Sequence, residues 1–260
     1  MLIRKLLIRF LGFNNYLAFI SRVFIQTFVN KWYLGEHKQV RFVKNLVNAG
    51  DTCIDIGANL GYFSIPLSRY VGTEGKLFSV EPVANFRKHL VKNLNSFGLK
   101  NTEVLPFALG EEDNKKIQMV TPEVEGVIRH GRTEVKEISE HSHVAFEHET
   151  VLMRPQTLFG HLQKIDFIKC DVEGYELHII PLFTEIIRQK RPILEIEIDP
   201  IENKKEIITL LNSLEYKVFF LGTENLLPFD INNSQHLKEI ELYFIPIEKT
   251  DKFGHLIESN

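Results

Sequence analysis

The chain has 260 residues, 44% of them hydrophobic and 25% charged, with a formal net charge of −3. That is the make-up of a folded single-core protein and excludes a low-complexity or disordered chain. The small negative charge also gives no global attraction to nucleic acid. Two cysteines, Cys53 and Cys170, lie in apolar runs without metal-ligand spacing, so they read as free buried thiols of a reducing, cytoplasmic compartment.

Residues 1–36 read as a basic amphipathic helical segment. Before Glu36 there is no acidic residue, while Arg4, Lys5, Arg9, Arg22 and Lys31 are basic. Leu2, Ile3, Leu6, Leu7, Phe10 and Leu11 recur at helical spacing. Arg9 and Arg22 break every apolar run well short of the ~20 residues of a membrane span, and no signal-peptide core or cleavage site is present. Such helices either cap a sheet or rest on an anionic membrane surface at its inner face. Capping is the commoner use of an apolar periodic helix.

From residue 37 the pattern becomes one of alternating helices and strands. Lys38 to Val47 predicts a helix and Thr52 to Ile56 a strand, followed by a glycine turn and a helix running toward Tyr70. Lys76–Val80 predicts the second strand, Asn85 to Phe97 a helix ending near Gly98, and Thr102 to Leu105 the third strand. Pro106–Gly110 forms the loop after it. Glu111 to Pro155 is long, polar and rich in histidine, with short strands at Lys115 to Val120 and Val151 to Met153. A segment of this length inside one domain reads as a flap over a substrate. His141, His143 and His148, with Glu147, match no closed metal-ligand set, so no metal site is assigned to them. Beyond it come a strand (Ile165 to Cys170), helices (Glu173 to Ile180, Leu182 to Gln189), a strand (Pro192 to Ile198), a helix (Lys204 to Leu214) and a strand (Tyr216 to Leu221). A seventh strand, Leu242 to Pro246, arrives with no helix before it and should be antiparallel. The order predicts an α/β fold, a Rossmann-like, seven-stranded, mostly parallel sheet with helices on both faces.

The chemistry is concentrated at strand ends. Asp51-Thr-Cys-Ile-Asp-Ile-Gly-Ala-Asn-Leu-Gly61 is a strand and glycine turn, and Val80-Glu81-Pro82 ends the next strand in an acid. Glycine at 57 and 61 lets the chain turn sharply and a ligand approach it. A carboxylate at 81 can accept both hydrogen bonds of a ribose diol. The dinucleotide fingerprint fails, because the second and third glycine slots hold Asn59 and Tyr62. Asp55 would also repel a diphosphate, yet suits a ligand carrying an ammonium and a sulfonium, such as S-adenosylmethionine. A second motif, Ile168-Lys-Cys-Asp171-Val-Glu173-Gly174-Tyr-Glu176, puts acids at the carboxyl end of a central strand, where open sheets bind ligands. N-capping explains one of these acids but not all. Glu197 ends the next strand toward the same crevice, with Glu195 one step deeper.

These motifs, with Ala108-Leu-Gly110 and Arg191-Pro192, resemble the FkbM-type methyltransferases over roughly Lys38 to Leu221. The resemblance implies a class I methyltransferase domain at 37–260, S-adenosylmethionine as donor, and a hydroxyl acceptor on a sugar, glycan or secondary metabolite. It implies that Asp55, Gly57, Ala58, Asn59 and Gly61 hold the methionine end, with Tyr62 beside them in the cofactor site. Glu81 and Pro82 would meet the ribose, and Phe107 and Ala108 the adenine. Asp171, Glu173 and His130 are the candidate general bases, and a divalent ion shared by Asp171 and a second acid could serve the same end. One departure stands out: where the pattern has Thr-Leu-Asp, this chain has Thr157-Leu158-Phe159. A dinucleotide oxidoreductase and a non-catalytic scaffold are the alternatives. The glycine slots and Asp55 speak against the first, and the intact acids against the second.

Overall fold

The computed structural model describes residues 2–29, 38–199 and 201–258. The boundary expected at residue 36, with Lys31, lies outside them. Two helices, α1 (Leu2–Leu11) and α2 (Phe13–Val29), meet at Gly12, whose φ of +75° makes the bend. The strands and helices that follow are α3 (Lys38–Phe42), β1 (Thr52–Ile56), α4 (Ser64–Val71), β2 (Lys76–Val80), α5 (Ala84–Ser96) and β3 (Thr102–Leu105). An insertion holds β4 (Ala108–Leu109), β5 (Lys115–Val124), β6 (Val127–Ile128), β7 (Glu134–Val135) and β8 (Val144–Met153). The chain then returns through α6 (Pro155–Phe159), β9 (Phe167–Cys170), α7 (Glu176–Ile179), α8 (Thr184–Lys190), β10 (Ile193–Glu197), α9 (Ile201–Ser213), β11 (Tyr216–Leu221), β12 (Leu226–Pro228) and β13 (Glu241–Pro246).

The main sheet runs β12-β11-β13-β10-β9-β1-β2-β3. β3, β2, β1, β9 and β10 are parallel neighbours, and β13 is antiparallel to β10 as expected. It has eight strands where the sequence predicts seven. The extra one, β12, is a three-residue edge strand ending in Pro228, too short for an alternation signal and closed to further pairing by the proline. From β1 the chain builds outward to β2 and β3, then returns to place β9 on the other side. The reversal falls between β1 and β9, so their carboxyl ends frame the crevice.

The insertion departs most from the sequence reading. Its short strands are the ends of two ten-residue strands, β5 and β8, paired antiparallel from Lys115↔Leu152 to Pro122↔Val144. Ile117, Met119 and Thr121 point inward along β5, but Val120 and Pro122 are buried as well, so the strand lacks the clean two-residue period that would mark it in the sequence. Two of these histidines have partners of their own: the His148 ring lies 2.9 Å from Thr121 Oγ1, and His141 Nε2 is 3.7 Å from Glu134. Among the described residues no group of His, Cys, Asp or Glu side chains is arranged to hold a metal ion.

The faces of the main sheet alternate residue by residue. Ile54, Ile168, Leu194 and Phe244 point toward α6–α9, while Cys53, Phe167, Ile193 and Tyr243 point toward α3 and α4. Both thiols are free and buried. Phe159, where the family pattern has an acid, is fully buried between Phe78 and Phe183. α2 packs by Tyr16, Leu17 and Ile25 onto the glycine-turn side of the domain, against Leu60, Phe86, Ile65 and Leu90. No helix among the described residues is long and apolar enough to cross a membrane.

Candidate active site

A cavity of about 560 Å³ opens at the carboxyl ends of β1, β2, β9 and β10. The glycine turn forms its floor. Gly57 has φ +85°, and a Cβ there would sit 1.8 Å from the backbone oxygen of Asp171, so the β1 and β9 loops touch where only a hydrogen fits. Gly57 N and Ala58 N both donate to Val80 O, and Asp171 N donates to Ile56 O, which stitches the two loops to their strands. Asn59 takes a left-handed conformation (φ +49°) that asparagine tolerates. Gly61 does not line the cavity. Its φ of +92° and a missing Cβ let Leu90 of α5 pack 2.8 Å from where that atom would be, so its role is helix packing.

Glu81 is fully desolvated at the end of β2. Its two oxygens accept from Asn59 N at 2.8 Å and Val83 N at 2.7 Å, which fixes the carboxylate in orientation. Each oxygen keeps a free lone pair toward the cavity. Burial pushes its pKa up to about 7, against the pull of those two amides. Pro82, Phe107, Ala108 and Tyr62 complete this half of the wall. Tyr62 packs edge-on against Phe24 of α2.

The other half is acidic. On the α3/α4 face, one row of side chains runs in register across five strands: Ser79, Asp55, Lys169, Glu195 and Tyr243. Asp55, 1% exposed, accepts from Ser64 Oγ at 2.5 Å, and Ser64 in turn meets Ser79. Burial raises its pKa to about 6, opposed by Lys169. Lys169 donates to Asp171 Oδ2 at 2.9 Å and lies over the Phe63 ring. Burial favours its neutral form, but Asp171, Glu241, Asp55 and Glu195 outweigh that and hold it charged. Glu195 is buried against Glu241 and Tyr243; desolvation and then the charge of Glu241 push it far toward the neutral form, in which it can donate to Glu241. One step nearer the strand ends, Glu197 pairs in register with Glu241, and both line the cavity. Burial and Asp171 raise Glu197 to about 7.

The β9 loop resolves the question of its acids. Glu176 accepts from Val172 N (3.0 Å) and Gly174 N (3.3 Å), so it is the loop's capping acid. That clamp supports two consecutive left-handed residues, Glu173 (φ +53°) and Gly174 (φ +90°). A non-glycine residue held there costs on the order of 1–2 kcal/mol and aims Glu173 into the cavity. Burial, then Asp171 and Glu197, push Glu173 to about 9.

His130 also lines the cavity, from a short turn of the insertion. Its Nδ1 accepts from the Arg4 guanidinium at 3.0 Å, and burial followed by that cation depresses its pKa to about 3. Its carbonyl accepts from Asn59 Nδ2, which ties the insertion to the glycine turn. Met119, Thr133 and Val135 supply more of this wall, and Arg4, Tyr16, Ile20 and Phe24 roof it from α1 and α2. Nothing in the sequence marks the roof or Glu241, whereas Lys169 carries a signal of its own, a lone lysine inside an apolar strand.

The cradle fits the methyl donor named above. A backbone-tight glycine turn, a fixed carboxylate at the end of β2, and an acid-rich far end suit a ribose beside an ammonium and a sulfonium. Residues 55–218 match the Methyltransferase FkbM domain. The chain belongs to the FkbM methyltransferase family. It is an S-adenosylmethionine-dependent methyltransferase of the class I fold. Among solved structures it is similar to a methyltransferase FkbM from Methylobacillus flagellatus KT, at 14% identity and a TM-score of 0.52, covering 89% of this chain and 53% of that one. It is also similar to a SAM-dependent O-methyltransferase from Thermotoga maritima, at 17% identity and a TM-score of 0.48, covering 85% and 69%. No curated protein matches the sequence.

Proposed function

We propose that this FkbM methyltransferase transfers a methyl group to a hydroxyl of a sugar, glycan or secondary metabolite. The carrying observation is the cluster of carboxyl groups, Asp171, Glu173, Glu197 and Glu241, around the end of the cavity beyond the glycine turn. Such a wall of carboxyl groups offers phosphate no countercharge and exchanges hydrogen bonds with hydroxyls, which favours a polyhydroxylated acceptor over a nucleic acid. The bound donor supplies an electrophilic methyl group on a sulfonium. Asp55, Gly57, Ala58 and Asn59 hold its methionine end, Glu81 and Pro82 its ribose, and Phe107 with Ala108 its adenine, while Tyr62 packs behind them. The acceptor hydroxyl is held for in-line approach, which is catalysis by proximity and orientation.

Asp171 is the preferred base for the hydroxyl proton, because Lys169 fixes one of its oxygens and leaves the other toward the cavity. Glu173 and Glu197 come next: burial raises both, Glu197 to about 7 and Glu173 to about 9, so Glu173 would act only once its proton has left. His130 is the poorest of the candidates: its ring nitrogen is occupied by Arg4 and its basicity is depressed. Its place in the wall suits contact with the donor or acceptor better than proton removal.

The test is a labelled methyl-transfer assay over a panel of sugars, glycans and hydroxylated metabolites, run with two variants. Asp171→Ala should keep donor affinity within about threefold while turnover falls by two or more orders of magnitude, the usual weight of a general base. Unchanged turnover would remove Asp171 from the acceptor end. Glu81→Ala should weaken donor binding by roughly 10- to 150-fold in calorimetric titration, the loss of about 1.5–3 kcal/mol of charge-assisted hydrogen bonding. Parent-like affinity in that variant would displace the ribose from Glu81.

A further inference from the structure

The outer face of the two N-terminal helices plays no part in the chemistry above. On α1, Ile3, Leu6 and Phe10 form one stripe and are 74%, 43% and 80% exposed. On α2, Phe19 and Val23 add two more exposed apolar side chains. The inner face is fixed: Leu7 and Ile8 pack with Tyr16 and Leu17 against Leu60 and Phe86, and Arg4 donates to Ile128 O at 2.9 Å. The apolar stripe is therefore held in place on the surface.

Charge selects what covers it. Arg9 and Arg22 are exposed on these helices, and residues 1–35 contain no Asp or Glu in a chain whose net charge is −3. A second copy of the same face would bring cation against cation. An anionic bilayer satisfies both features at once: the apolar side chains enter the acyl boundary and the cations meet the headgroups. α1 has ten residues, about 15 Å of helix, which is long enough to lie in the interface and too short to cross it. We infer that the outer face of α1 and α2 docks this enzyme peripherally on an anionic membrane surface. The inner face of the same helices roofs the cavity, so the active site lies about one helix diameter, ~10 Å, from the lipid. This inference is independent of which acceptor is methylated.

The experiment is co-sedimentation of the full chain with vesicles of phosphatidylglycerol and phosphatidylcholine mixed, against pure phosphatidylcholine, at low and high salt. Binding should be at least tenfold tighter to the anionic vesicles and should fall steeply with salt. The double variant Ile3→Asp, Phe10→Asp should lose at least tenfold while keeping its circular dichroism and its S-adenosylmethionine affinity. Arg9→Glu with Arg22→Glu, which leaves the apolar stripe intact, should lose roughly fivefold or more per cation. Equal or absent binding to the two vesicle types by the parent would overturn the inference. So would parent-like binding by either variant, or a concentration-dependent dimer in gel filtration that the Ile3→Asp, Phe10→Asp variant abolishes.

Discussion

Replacing Gly57 with alanine is expected to eliminate S-adenosylmethionine binding and to lower stability sharply. The added Cβ would lie 1.8 Å from Asp171 O and 2.9 Å from Asp171 C, both backbone atoms. No side-chain rotation relieves such a clash, so the β1 and β9 loops must separate. Separation breaks the Asp171 N to Ile56 O bond and carries Asp171 away from the glycine turn. The φ of +85° adds about 1–2 kcal/mol for any residue with a Cβ. Titration should detect no binding at donor concentrations roughly a hundredfold above the parent dissociation constant, which corresponds to more than about 2.7 kcal/mol. Gly131→Ala is the control, since no atom lies within 4 Å of its missing Cβ although Gly131 lines the same cavity. A Gly57→Ala variant that binds the donor within threefold of the parent would show that the two loops do not meet as described.

What could be read from the sequence was local. The glycine turn, Asp55 and Glu81 declare themselves within thirty residues, because strand, turn and acid occur in one contiguous unit. The row Ser79–Asp55–Lys169–Glu195–Tyr243 does not, since it exists only through the register of five strands drawn from across the chain. The division of labour between Glu173 and Glu176 depends on a left-handed backbone at Glu173, which a non-glycine residue gives no reason to expect. The helix expected from Glu173 accordingly starts at Glu176. In the insertion, β5 and β8 stabilise each other by pairing at long range, and neither carries a strong signal alone. The N-terminal helices were legible as amphipathic, but periodicity does not say what an apolar face covers. One face of them roofs the cavity and the other faces solvent.

Lys169→Met should be the most destabilising single change in the acidic half of the site, and its cost should grow with pH. Lys169 is 6% exposed and stands among Asp55, Asp171, Glu195 and Glu241. Methionine keeps most of the volume and the contact with Phe63, so what is lost is the charge. Removing one partner of a buried ion pair costs about 3–5 kcal/mol, because the carboxylates left behind are neither solvated nor paired. The sign of the pH dependence follows from the parent. Burial raises Asp55 from 3.8 to about 6, and Glu81 and Glu197 from 4.5 to about 7. Between pH ~4 and ~7 the folded protein therefore binds more protons than the unfolded chain, and these groups make it less stable as pH rises. Lys169 lowers the values of Asp55, Glu195, Glu197 and Glu241, so its loss raises them further and widens that window upward. Urea unfolding at pH 5.5 and pH 8 should give a stability deficit for Lys169→Met that is clearly larger at pH 8. An equal deficit at both pH values would mean that Lys169 acts by packing alone, and the acidic half of the cavity would then need another source of compensation.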